Sequence, residues 1–324
     1  MIMTMAQAIN QALAQEMERD DRHVLLGEDV GRDGGVFRVT EGLVDRFGAE
    51  RVIDTPLAES GAVGAAIGMC ALGLRPIVEI QFMGFIYPAF NQIISHVARI
   101  RNRTRGRFAA PLVIRTPYGA GVRALEHHSE STEALFCQVP GLTVVVPSDP
   151  ADAKGLLVAA LRSEDPVLFL EPTRLYRAEK QEVPEAAAEA PLRRARVVRE
   201  GKDVTVVAWG AMVPVARKAA DALAAEKVEI EIVDLRTLSP MDREAVLASV
   251  RKTGRAVVLH EAPKTCGLGA EIAATIGERA LLSLKAPVLR VTGQDITVPL
   301  PKSEDVYYPS PERLARAVRR VMEF

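Results

Sequence analysis

Apolar positions along this chain fall into two alternating patterns. Short runs rich in Val, Ile and Leu recur at His23–Leu26, Arg51–Ile53, Ile77–Gln81, Leu112–Arg115, Thr143–Val146 and Val167–Leu170. Longer stretches with helical spacing separate them, beginning with MIMTMAQAINQALAQEMERDD at the N-terminus. Strands that are apolar on both faces belong to parallel sheets with helices on either side. The pattern therefore predicts an α/β fold with largely parallel sheets covered by helices. In such sheets, sites lie outside the carboxyl ends of the strands. Polar strings stand at those ends here: GED after the first strand, DTPLAES after the second and EIQF in the third.

The pattern pauses at EKQEVPEAAAEAPLRRA, residues 179–195, which is rich in Glu, Ala and Pro and has little to bury. A second α/β pattern starts at VTVVAWG and continues through VEIEIVDL, RAVVLHE and VLRVTG. Two domains are expected, because single cores stop growing at about 250–300 residues and the chain has 324. The predicted division is 1–186, a linker over 187–200, and 201–324.

Composition removes several function classes. Lys and Arg number 41 against 42 Asp and Glu, a net charge of -1, so no basic footprint favours nucleic acid. The run of small and apolar residues Ser60–Leu74 is fifteen residues, short of the about 20 that span a membrane. Cys70, Cys137 and Cys266 are too scattered for a disulfide framework or a metal site. The N-terminal segment lacks the basic flank and long apolar centre of a signal peptide, and a cytoplasmic location is expected. No G-x-G-x-x-G stands between a strand and a helix, and no P-loop is present.

Three segments hold candidate chemistry. In TPLAESGAVGAAIG, Glu59 stands at the mouth of the uncharged stretch. Gly61, Gly64 and Gly68 suggest a buried helix that another backbone approaches closely. Burial raises the pKa of a carboxylate placed there and the helix dipole lowers it; the plainer reading is a first-turn capping residue. In QFMGFIYPAFNQI, Phe82, Phe85, Tyr87 and Phe90 cluster, with Pro88 expected to open a helix. They read either as core or as a platform for a flat heterocycle. In ALEHHSESTEALFCQVPG, His127 and His128 precede a predicted helix. A histidine there can move protons near neutral pH, although a polar surface loop reads the same way. Neighbouring side chains diverge, so one of the two is expected to face a site. Zinc is disfavoured, since no third ligand has suitable spacing.

Taken together, GEDVG, DTPLAESG, EIQFMGFIYPAFNQI, HHSESTEALFCQVPGL, VPSDPADAKGLL and DPVLFLEP resemble the beta subunit of the thiamine-diphosphate-dependent 2-oxo acid dehydrogenases, the decarboxylating component of the pyruvate and branched-chain complexes. The resemblance spans nearly the whole chain. It implies a pyrimidine-binding domain followed by a transketolase C-terminal-like domain. Glu59 matches the glutamate that bonds N1′ of the aminopyrimidine and sets its imino tautomer. Phe85 matches the aromatic position against that ring. Glu28, Leu57, Ala58, Gln81 and Pro88 fall in segments lining the cofactor pocket. His128 matches the active-site histidine, and the wall Phe82–Met83–Gly84–Phe85 lies beside the substrate. The resemblance also implies a monovalent cation such as K⁺ on the carbonyls of Leu112, Ala160, Leu161, Ser163 and Asp165.

Family members hold the cofactor diphosphate through Mg²⁺ on a GDG motif with a later Asn, and this chain has no GDG. The resemblance therefore implies an alpha subunit that supplies the Mg²⁺–diphosphate half, in an assembly of two alpha and two beta chains, with acyl transfer to lipoyl-lysine of an acyltransferase component. The apolar Phe82–Phe85 wall favours a branched-chain substrate such as 2-oxoisovalerate. Pyruvate is the alternative, and a non-catalytic scaffold subunit is the alternative of another class.

Overall fold

The computed structural model describes residues 1–324. The first sheet has seven strands, in the spatial order Thr237–Ser239, Thr143–Val145, Val167–Pro172, Val113–Tyr118, Arg75–Glu79, His23–Gly27, Val52–Asp54. Six are parallel, and all six were expected from their apolar runs, with ends displaced by no more than three residues. The seventh, Thr237–Ser239, is antiparallel and comes from the second half of the chain. The second sheet orders Leu289–Gly293, Ala256–Pro263, Val204–Ala208, Ile230–Asp234 and Arg196–Arg199. Only its last strand is antiparallel.

Arg196–Arg199 lies inside the stretch expected to be linker. It is an edge strand bounded by two arginines, so it needs no apolar run and leaves no signal in the sequence. The two halves also share a core. One apolar cluster runs from Leu26, Ile80 and Ile114 through Val144 to Val207, Trp209, Val233 and Leu268. The first sheet's other face is covered by the Met5–Arg19 helix, which packs along the Pro150–Arg162 helix. Thr4 starts the Met5–Arg19 helix with a capping box closed by Gln7.

The helix Glu59–Ala71 departs from expectation. Ala62, Val63, Ala66 and Cys70 are buried, a stripe at helical spacing. Gly61, Ala65 and Gly68 on the other side are exposed in the single chain. The helix is thus buried on one face, not all round.

Candidate active site

The parallel register aligns Gly27 with both Asp54 and Glu79. The chain therefore leaves three neighbouring strands at one level, and the residues that follow converge. Glu28, Ala58, Glu59, Glu79, Ile80 and Gln81 line one small pocket of about 10 Å³. Glu59 is the first residue of its helix, half-buried at the N-terminal end. Burial pushes the Glu28 carboxyl pKa up, and the charges of Glu59 and then Asp29 push it further. Gln81 donates from Nε2 to Asp29 Oδ2 at 3.1 Å. Burial likewise raises Glu79, against the opposing pull of Arg115.

Beyond Gln81 the chain turns at once into a 3-10 helix, Met83–Ala89. Pro88 sits inside that turn and does not open a helix; it is exposed. Met83 faces inward, only 1% exposed, as part of the core. Gly84 lies under the backbone of His127: a Cβ there would meet the His127 carbonyl oxygen at 2.5 Å. The predicted apolar wall therefore reduces to Phe82 and Phe85, which meet edge to face at 5.6 Å. Leu57 points away into solvent, 78% exposed.

Both histidines join this wall. The His128 ring is 4.2 Å from Phe82 and 5.4 Å from Phe85, and the His127 ring is 5.4 Å from Phe85. The two imidazoles are 4.3 Å apart, contrary to the expectation that neighbours diverge. The short 3-10 turn Glu126–His128 and its packing on Gly84 bring both rings to one side. Burial lowers the His128 pKa, with the neighbouring His127 charge second. His128 Nδ1 is buried without a hydrogen-bond partner.

The residues that hold this site were not legible in the sequence. Arg115, 1% exposed, donates from Nη1 to Glu79 Oε2 at 2.8 Å. Its Nε and Nη2 grip both oxygens of Glu171 at 2.7 and 3.0 Å, and Tyr176 donates to Glu171 at 2.6 Å. The loop bearing the histidines is clamped by the second half of the chain. Ala120 N donates to Glu261 Oε2, Gly121 N to Glu304 Oε1, and Tyr308 Oη to the Ser129 carbonyl, at 3.2, 3.1 and 3.2 Å. Glu133, at the start of the next helix, is fully buried with neither oxygen paired, and burial pushes its pKa up to about 7. At the residues expected to hold a monovalent cation, Arg75 donates to the carbonyls of Leu161 and Ser163.

Residues 2–179 match the transketolase pyrimidine-binding domain and residues 193–314 the transketolase C-terminal domain. The chain is 53% identical over 320 residues to the pyruvate dehydrogenase E1 component subunit beta of Acholeplasma laidlawii, covering 99% of this chain and 98% of that one. It is 49% identical over 322 residues to the protein of that name from Bacillus subtilis, covering 99% of each. Among solved structures, a split-gene transketolase described as an inactive beta4 tetramer superposes with a TM-score of 0.81 at 26% identity, covering 99% of this chain and 98% of that one. A transketolase mutant from Pichia stipitis, at 14% identity, gives 0.73 over 100% of this chain and 46% of its own, a likeness of fold alone.

The fold and the two matched domains define a transketolase-type α/β subunit. The chain belongs to the family of beta subunits of the 2-oxo acid dehydrogenase decarboxylating component. That family depends on thiamine diphosphate and works with an alpha subunit. The residues present suit one end of that cofactor: a carboxylate at a helix terminus, an amide beside it and an aromatic wall. A pocket of about 10 Å³ has room for roughly one water, so it does not by itself enclose a ring. No His, Cys, Asp or Glu cluster is gathered to hold a metal ion, and no helix is long and apolar enough to cross a membrane.

Proposed function

We propose that this chain is the beta subunit of a pyruvate dehydrogenase, that it pairs with an alpha chain as two alpha and two beta, and that the site completed between them passes the acyl group to lipoyl-lysine of an acyltransferase component. The observation that carries the reading is full-length likeness, at about half identity, to proteins bearing that name. It displaces the branched-chain expectation, which rested on a four-residue apolar wall. Two of those four residues are unavailable: Met83 is core and Gly84 is roofed by His127.

Thiamine diphosphate, when bound, supplies the carbon nucleophile that adds to a 2-oxo acid and stores the electron pair left by CO₂. Glu59 would accept from the aminopyrimidine N1′ side, with Glu28 and Gln81 beside it and Phe85 against the ring. Neutral His128 would take or give a proton at its exposed nitrogen near the reacting carbonyl. Phe82 and Phe85 keep water from that imidazole. The alpha chain would hold Mg²⁺ and the diphosphate.

The test is a substrate panel on the reconstituted alpha–beta enzyme, comparing kcat/KM for pyruvate and 3-methyl-2-oxobutanoate. Pyruvate is expected to lead. Apolar pockets discriminate by about 1–3 kcal/mol per methylene, so a clear lead for the branched acid would reverse the assignment. Tight Mg²⁺-dependent cofactor binding by beta alone would refute the shared site.

A further inference from the structure

We propose that the Arg75 guanidinium is the resident cation of the carbonyl cluster at Leu161 and Ser163, and that this chain takes no monovalent metal ion there. Arg75 opens the strand Arg75–Glu79, at the opposite end from the pocket. A charged residue at a strand entrance ordinarily reaches solvent, yet Arg75 is 5% exposed. Its Nε and Nη2 donate to the Leu161 carbonyl at 3.2 and 3.0 Å, Nη2 also to the Ser163 carbonyl at 2.6 Å, and Nη1 to Glu164 Oε1 at 2.7 Å.

The local chemistry calls for a cation. Leu161 is in the last turn of the helix Pro150–Arg162, where carbonyls lack helical partners and the helix dipole is negative. A metal ion and a guanidinium answer that need equally, but they compete for the same oxygens. A carbonyl has two lone pairs. Those of Leu161 are engaged by Arg75, with the His23 Nε2 a further 3.2 Å contact. The other three carbonyls also have protein donors: Ser163 N to Ala160 at 3.1 Å, Val167 N to Leu112 at 3.0 Å, and Ser163 Oγ to Asp165 at 2.9 Å. The guanidinium is permanently charged, so a second cation in the cluster would face a like charge that the solvent-exposed Glu164 offsets only in part. Arg75 thereby joins the Arg75–Glu79 strand to the loop entering Val167–Pro172, whose far ends present Glu79 and Glu171 to Arg115.

Thermal unfolding of the purified full chain, in KCl and in choline chloride at equal ionic strength, tests this whatever the substrate proves to be. The two curves should coincide for the natural chain, because a ligand bound only by the folded state would raise the midpoint with concentration. Arg75→Ala should melt lower, and K⁺ should restore part of the loss where choline does not. A saturable K⁺ stabilisation of the natural chain overturns the proposal. So does an Arg75→Ala chain as stable as the natural one. If Arg75→Ala cannot be purified folded, the salt comparison on the natural chain decides alone.

Discussion

His127 and His128 stand ring to ring, their centroids 4.3 Å apart and their planes tilted by 44°. The first depresses the proton affinity of the second, behind the larger effect of burial. A His128 held below its ordinary value is a neutral proton acceptor at pH 7. His127→Gln should raise the His128 pKa back toward 6.5, moving the acid limb of the kcat/KM profile to higher pH. Imidazole NMR of the variant would check the same shift; an unmoved His128 resonance would show that the two do not interact. His128→Ala should cost more activity than His127→Ala.

Glu59→Gln should leave the fold intact, since Glu59 makes no hydrogen bond that the native structure needs. Its lining of the pocket predicts a loss of activity of ~10²–10⁴, the usual worth of a positioned proton-transfer group. Circular dichroism and C2–H exchange of thiamine diphosphate in the reconstituted enzyme are the measurements. Normal exchange in a folded variant would remove Glu59 from its role.

Gly84→Ala puts a methyl group 2.5 Å from the His127 carbonyl oxygen. The contact is with backbone, so the histidine turn must move. Overpacking of this kind costs about 1–3 kcal/mol, and a displacement near 1 Å can cost ~10² in rate. Activity and stability are both expected to fall, by comparable free energies, since a 10²-fold rate loss is about 2.7 kcal/mol. Equal kcat in the natural chain and the variant would show that the turn is not held by this contact.

Arg115→Met strips the counter-charge from Glu79 and Glu171, both nearly inaccessible. Breaking a buried pair from one side costs about 3–5 kcal/mol. Glu79 already has a raised pKa with Arg115 present and rises further without it. The loss should therefore be larger at pH 8 than at pH 5, because a raised Glu79 pKa favours the uncharged acid as pH falls. Urea unfolding at both pH values is the check, and a pH-independent loss would contradict it.

Glu133 and Glu261 are both lifted to about 7 by burial, from an unfolded value of 4.5. Between those values the folded chain binds more protons than the unfolded one, so stability falls as pH rises from 4.5 to 7 and then levels. Glu133→Gln removes one of the two groups. It should flatten that slope, by about 1.4 kcal/mol for each unit of pKa difference, and leave the variant more stable than the natural chain at pH 8. An unchanged slope would mean that Glu133 is ionised throughout.

What the sequence determined by itself is what short-range patterns control. Apolar runs located ten strands, because a strand buried on both faces must be apolar throughout. Glu59, Gln81, Phe85 and His128 stand out in the sequence because each lies where a strand or loop meets a helix, among residues of contrasting type. The tertiary structure alone decided what depends on distant pairing. Arg196–Arg199 and Thr237–Ser239 are strands only because a neighbouring edge accepts their hydrogen bonds. Arg115 and Arg75 look like surface cations until Glu79, Glu171 and the Leu161 carbonyl close around them. Glu261 and Glu304 hold the histidine loop across more than 140 residues of sequence. That is why the second histidine, the shortened apolar wall and the arginine at the cation site were beyond a reading of local pattern: each is set by which backbone packs against which.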